Sequence, residues 1–276
     1  MHKRLLKLSA GLLLISNFSF SDSTPNLVLS SEVKWTHLNP KRGDLAPKAG
    51  TLWGDRNGPG PTGYLLKPND GFQSPPHIHN VSYRAIVING EIHNDDPNAK
   101  HMWMTPGAFW TQPKGEVHIT ASRGKNALAY IEIENGPYLV FPAKTAFDSG
   151  ERPVNVTKEN IVWLDADTSN WIDHKAKGVQ ISYLWGVTSD NNLNGSFIKL
   201  PSSFKGKIVS NSDTFKAIVI KGPPNYQNNQ SKRVILETGS YFGSNKNKTT
   251  HKIDSRDGHE TLLYIRTKGS YTVTSN

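Results

Sequence analysis

Two short stretches of this 276-residue chain carry histidines in a pattern able to hold a metal ion. The first reads Gly71-x5-His77-x-His79-x3-Tyr83-x6-Gly90, and the second Gly107-x5-Pro113-x-Gly115-x2-His118-x3-Ser122. Side chains alternate faces along an extended chain. His77 and His79 therefore point the same way, with Cβ atoms about 6–7 Å apart, near enough for two imidazoles to converge on one ion. His118 is placed to be the third ligand. Three neutral imidazoles suit first-row divalent ions and leave positions open for water or substrate, as a reacting centre needs. With no carboxylate among them the ion's charge stays uncompensated, which favours an anionic or chelating oxygen ligand. Two more side chains are candidates for catalysis. Tyr83 shares a strand face with His79 and could ligate or donate a hydrogen bond; its plainer reading is a cavity wall. Glu116, two residues before His118, could be a late carboxylate ligand or a general base; its plainer reading is a solvated loop glutamate.

The two stretches resemble the paired signature motifs of the cupin superfamily, G-x5-H-x-H-x3,4-E-x6-G followed by G-x5-P-x-G-x2-H-x3-N. Every spacing fits, and two residues differ: Tyr83 stands at the usual glutamate and Ser122 at the usual asparagine. The asparagine is not a metal ligand in that family. Tyr83 removes the fourth protein ligand, so the resemblance implies a three-histidine site like those of ChrR-like cupins and cupin dioxygenases. It also implies a β-barrel around the site.

Ligand type does not select the ion: imidazole suits Zn, Fe, Cu and Ni, and Cu and Zn outcompete Fe and Mn in raw affinity. Zinc would make the centre hydrolytic, whereas iron would support O2 chemistry, which export from a reducing compartment disfavours. His37, His93, His101, His174 and His259 have no comparable partners and read as surface or packing residues. Trp103, Phe109 and Trp110 read as apolar wall, with Asn80 and Gln112 at a polar rim.

These residues sit in a chain long enough for two domains. Its 36% hydrophobic content, with abundant Gly and Pro and no long helical periodicity, favours strands and turns. Residues 1–21 have the form of a cleavable secretory signal. Lys3, Arg4 and Lys7 precede an apolar run over 8–15, too short to span a bilayer as a helix, and the small residues Ser19 and Ser21 stand before Asp22. The expected location is periplasmic or secreted, with no membrane attachment after cleavage. Zero cysteines exclude disulfides, thiolate ligands and a lipoprotein anchor. Of the formal charge of +9, three positive charges lie in residues 1–21, which hold no acid, leaving +6. The excess is scattered as single lysines rather than a basic helix or aromatic-basic stripe, which argues against nucleic-acid binding.

An internal duplication organises the rest. Leu52-Trp53-Gly54, eight residues and Gly63 recur as Leu184-Trp185-Gly186, eight residues and Gly195, at an offset of 132. At that offset AIVING over 85–90 falls on AIVIKG over 217–222; near the end the offset slips by two, matching AYIEIENGPY to LYIRTKGSY. Two copies of a β-rich unit, with short strands expected over 64–67, 84–88, 108–111 and 127–133, predict an all-β chain. With the resemblance, this becomes two tandem cupin barrels, a bicupin: residues 22–150 hold the metal site and residues 151–276 a degenerate barrel, with the link around 145–160. The constant offset places His77 on Val209, His79 on Asn211, Tyr83 on Phe215 and His118 on Thr250, so no ligand histidine is expected in the second copy. His251 is one residue away, and a one-residue slip turns a strand's side chains over.

The expectation is an exported bicupin with one divalent metal (Fe, Zn, Mn, Ni or Cu) at His77, His79 and His118, acting on a small anionic molecule with oxygenase-type chemistry foremost. The alternative is a metal-dependent binding or sensing protein without turnover, and a homodimer is the assembly entertained. Elemental analysis of a His77→Ala/His79→Ala double variant should find the bound metal gone; retained metal would leave the histidines a purely structural role.

Overall fold

The run Ala85-Ile86-Val87-Ile88 is apolar on both of its faces, so the strand that contains it must be covered on both sides. It is. In the computed structural model, which describes residues 27–228, 232–246, 248–256 and 258–276, Ala85 and Val87 join the core of the first half, whereas Ile86 and Ile88 join a second cluster shared with the other half. The duplicate run behaves alike: Ala217 and Val219 face the second half's own core, and Ile218 and Ile220 meet the shared cluster. Two sheets thus pack against each other through one face and enclose a separate core behind each. The signal expected over residues 1–21 lies outside the described residues.

The first half is built on a seven-stranded antiparallel sheet. Its order is Val154–Val156, Phe109–Gln112, Tyr83–Asp95, Ile119–Ile133, Thr62–Lys67, Lys48–Trp53 and Thr36–His37. Tyr83–Asp95 and Ile119–Ile133 pair along most of their length, with register shifts around Asn89 that bend both. A two-stranded sheet of His77–His79 with Val140–Pro142 lies apart from it. The second half has a six-stranded and a five-stranded sheet. Its six-stranded sheet includes Leu27–Val28, paired with Tyr241–Ser244, while Val154–Val156 pairs with Phe109–Gln112 of the first half. Each half therefore lends a leading strand to the other. The architecture is the all-β bicupin that the motifs and the duplication imply, and among the described residues no helix is long and apolar enough to cross a membrane.

The repeated Trp and Gly acquire a physical reason here. The indole of Trp53 lies on Gly63 and that of Trp185 on Gly195, where any Cβ would collide with the ring. Trp53 Nε1 donates to the Tyr130 hydroxyl and Trp185 Nε1 to the Tyr264 hydroxyl, both at 2.9 Å. Both tyrosines then donate to one carboxylate, Glu132, at 3.1 and 2.7 Å. Counting from the matched tyrosines, the duplicate of Glu132 is Arg266. Its guanidinium is nearly buried, stands 3.6 Å from Glu132, and makes a bidentate pair with Glu134 at 2.5 and 2.7 Å. Arg84 also donates to Glu134, at 2.9 Å, and lies over the Trp185 ring. Charge of opposite sign at one duplicated position lets the halves interlock where equal charges would repel.

Arg266→Met keeps apolar volume but removes the buried guanidinium between Glu132 and Glu134, leaving Arg84 as their remaining cation. It should cost about 3–5 kcal/mol of stability in chemical denaturation, the range for breaking a buried pair. A loss under about 1 kcal/mol would give the cluster only the weight of a surface pair.

Candidate metal centre

His77 and His118 are joined at the backbone. His77 N–H donates to the His118 carbonyl at 3.1 Å, and His118 N–H returns a bond to the His77 carbonyl at 3.0 Å. This antiparallel bridge, with the period of two within His77–His79, brings the three rings to one point. Ring centroids are 4.3 Å apart for His77 and His118, 4.8 Å for His77 and His79, and 4.9 Å for His79 and His118. Their ligand atoms all lie within 4.8 Å of one another. Two nitrogens each about 2.0–2.1 Å from one ion can be about 4.2 Å apart at most, so small χ adjustments complete the site.

Hydrogen bonds fix which nitrogen is available. Nδ1 of His77 faces the Pro75 carbonyl at 2.8 Å, Nδ1 of His79 the Leu139 carbonyl at 3.4 Å, and Nδ1 of His118 the Glu116 carbonyl at 3.3 Å. A carbonyl only accepts, so each Nδ1 carries the hydrogen and each lone pair sits on Nε2. His118 Nε2 is buried with no hydrogen-bond partner. A buried acceptor left bare costs about 1–3 kcal/mol, and an ion held by the three Nε2 atoms removes that cost. The donor set thus fits a divalent metal.

Two of the three, His77 and His79, line a cavity of about 310 Å³. Aromatic side chains form much of its wall: Tyr64, Phe72, Tyr83, Trp110 and Tyr138. Trp110 is in the wall as expected, but Phe109 faces the inter-half cluster and Trp103 packs beside His93, His101 and Arg123. His93, although buried, is no part of the trio.

Tyr83 presents its ring to the site, 5.5 Å from His79, but its hydroxyl is engaged elsewhere. It donates to Asn94 Oδ1 at 2.9 Å, and Asn94 is held by Thr120 at 2.7 Å and by Gln112 at 2.8 Å. Burial raises its pKa, keeping it a neutral phenol. Gln112 is accordingly a buried strut and not a rim group. Glu116 is not with the histidines: it lines a separate recess with Phe147, Asp148 and Arg152. Residues 113–117 lie between strands, with a turn at Lys114 and Gly115 in which Gly115 adopts φ of +77°, so the strand alternation that would have put Glu116 beside His118 does not run through them.

Tyr138 is the residue the motif does not contain. Its ring stacks on His79 at 4.3 Å and its hydroxyl donates to His79 Nε2 at 2.9 Å. The one hint in the chain was the duplication, which matches Gly-Pro-Tyr138 to Gly-Ser-Tyr271.

The second half corrects the constant-offset alignment. Gly115 N–H bonds to the His79 carbonyl at 2.9 Å, and Lys248 N–H to the Ser210 carbonyl at 2.8 Å; Gly115 and Lys248 both have positive φ. Ser122 N–H bonds to the Phe72 carbonyl and Ser255 N–H to that of Phe204. By these bonds His79 corresponds to Ser210, and His118 to His251 and not to Thr250; Ile208, paired with His251, corresponds to His77. One histidine of the three therefore persists, and it points inward. Among the described residues it belongs to no group of metal-ligating side chains. His251 Nδ1 meets the Tyr226 hydroxyl at 3.0 Å, Nε2 meets Ser244 Oγ at 3.3 Å, and the ring stacks on Phe215 at 4.8 Å.

Comparison with known proteins bears on the family and the fold. Residues 26–274 match the family described as a domain of unknown function, DUF4437. No curated protein matches the chain. Among solved structures, a candidate dioxygenase from Nostoc punctiforme is 14% identical over 90% of this chain and 80% of its own, with a TM-score of 0.61. An oxalate decarboxylase from Lactobacillus farciminis is 9% identical over 91% and 88%, TM-score 0.56. A salicylate 1,2-dioxygenase variant from Pseudoaminobacter salicylatoxidans is 14% identical over 79% and 73%, TM-score 0.53. At such identities these likenesses concern the fold, which is that of the cupins.

Burial lowers the pKa of all three histidines: His77 by burial, His79 by burial and then by His118 and His77, and His118 to about 3 by burial and then by His77. The unfolded chain takes up these protons near pH 6.5 and the folded one only at lower pH, so stability is full above about 6.5 and falls as pH drops. Denaturation of the metal-free protein should show this loss between about pH 6.5 and about pH 3, and His118→Phe should flatten it. A pH dependence unchanged in that variant would contradict the burial of a neutral His118.

Proposed function

Because the chain belongs to the DUF4437 family and carries the cupin fold with a three-histidine centre, we propose that it is a metal-dependent enzyme acting on a small anionic molecule, with dioxygenase-type chemistry foremost. The observation that carries this reading is the meeting of three imidazoles, their ligand atoms within 4.8 Å of one another, two of them in the wall of an aromatic-lined cavity. His77, His79 and His118 would hold the ion. A divalent ion there supplies a Lewis acid and, when redox-active, the means to engage O2.

The chain's own residues do the rest. At about 310 Å³ the cavity is at the small end of ligand pockets, suited to a compact molecule. Its described lining has no carboxylate, and Arg42 is its only permanently charged side chain. Both features favour an anion: the guanidinium can pair with a carboxylate at the mouth while the ion, held by neutral ligands, attracts an oxygen inside. Tyr64, Phe72, Tyr83 and Trp110 keep the interior apolar and limit water, which strengthens those attractions. Glu116, lying in another recess, is not assigned a role in proton transfer. Neighbours named as dioxygenases support oxygenase chemistry as the leading form, and the sequence of residues 1–21 supports an exported setting.

The test is to identify the metal elementally in the purified chain, reload it with Fe(II) under anaerobiosis, and follow O2 uptake with diketones, catechols, salicylate-type acids and thiol acids. Turnover with one class, reduced to background by His118→Ala, is expected. Arg42→Gln should raise KM for a carboxylate substrate about tenfold, as loss of one charge-assisted pair does, and leave kcat nearly unchanged. Bound metal without turnover on any class would move the assignment to a small-ligand binding or sensing protein.

A further inference from the structure

Metal loading cannot leave the hydrogen bond at His79 as it stands. His79 Nδ1 is committed to the Leu139 carbonyl, so Nε2 is the nitrogen that an ion would take, and that lone pair now accepts from the Tyr138 hydroxyl at 2.9 Å. The two rings are stacked, 4.3 Å apart at 28°, which keeps the phenol beside the centre whether or not the bond survives. Once the lone pair is taken, the hydroxyl needs a new acceptor. A donor left unpaired is unfavourable, and an acceptor that arrives beside it is stabilised by taking its bond. Among the described residues the Tyr138 hydroxyl makes no second hydrogen bond. The neighbouring rings of Tyr64 and Tyr83 are 6.3 and 6.1 Å away, Tyr83 is a donor to Asn94, and the Leu139 carbonyl faces the imidazole. The position that opens next to Nε2 is the one an incoming anion would occupy, on the same cavity wall that Tyr138 lines.

We propose that the Tyr138 hydroxyl passes from His79 Nε2 in the metal-free chain to the anion bound in the cavity of the loaded one, and that Tyr138 is the ligand-orienting phenol of the centre. Tyr83, at the motif's fourth position, supplies only wall. This rests on the metal-dependent reading above and assigns the part its fourth side chain plays. The consequence is a site with two opposite preferences for one hydroxyl. Removing it should ease metal entry, because His79 no longer gives up a hydrogen bond, while weakening the anion that the metal recruits. A merely structural tyrosine would not separate these effects.

The experiment uses the full chain loaded with Co(II), whose visible spectrum reports both metal binding and exogenous ligation, with azide as the anionic probe. Tyr138→Phe keeps the ring and the stack and removes only the oxygen. It should bind cobalt as tightly as the parent chain or tighter, and bind azide about tenfold more weakly, the worth of one hydrogen bond of about 1.4 kcal/mol. Tyr83→Phe should bind azide within about twofold of the parent, as for a group with no direct contact. Equal azide affinity in Tyr138→Phe and the parent overturns the proposal, and so does an equal or larger loss in Tyr83→Phe. A parent chain that takes up no cobalt would instead overturn the metal-dependent reading itself, an outcome read before any azide is added.

Discussion

A carbonyl oxygen cannot donate, and that fact governs the centre. Pro75, Glu116 and Leu139 each turn a backbone carbonyl toward an Nδ1, which puts the hydrogen there and sends every lone pair to Nε2. Two of these carbonyls lie two residues before the histidine they orient, so the local chain direction sets the tautomer. The third comes from Leu139, next to Tyr138, immediately before the strand that pairs with His77–His79. Metal competence in this protein is a property of backbone placement as much as of side-chain identity.

The two halves show the same scaffold with opposite interiors. In the first, an aromatic wall leaves a cavity open beside the histidines. In the second, Phe215 stands where the first half has Tyr83, His251 stacks on it, and Tyr226 and Phe242 fill the remaining space. The persisting histidine has both nitrogens engaged and has become a core residue. The filled barrel braces the other: the shared cluster and the interlocked Glu132, Glu134 and Arg266 fasten it to the long strands Tyr83–Asp95 and Ile119–Ile133 of the metal-bearing half. The metal-bearing half can then keep an open cavity without relying on its own core alone.

Much of this was legible in the chain. Motif spacing identified His77, His79 and His118 because a strand's period of two and the bracketing glycines and proline are local constraints. The duplication was readable from Trp53 and Trp185 over Gly63 and Gly195, since a ring against a backbone tolerates no substitution. What failed were extrapolations of strand geometry through turns. Glu116 would share the face of His118 only by an alternation that the Gly115 turn interrupts, and His251 was turned outward by an offset that one extra residue between Ser244 and Lys248, compared with Gln112 to Gly115, does not preserve. Tyr138, Arg42 and Asn94 were invisible as site residues because their relation to the histidines is made by chain reversals 15 to about 60 residues long, with no local signature.

By itself the sequence determined an all-β duplicated chain with a three-imidazole donor set in its first copy, because residue type and short-range spacing carry that information. The tertiary structure decided which phenol reaches that donor set, which carboxylate is kept away from it, and why the second copy is closed. Each of those turns on which side chains meet across strands far apart in the chain, and on volume and hydrogen-bond partners that only the assembled barrel supplies.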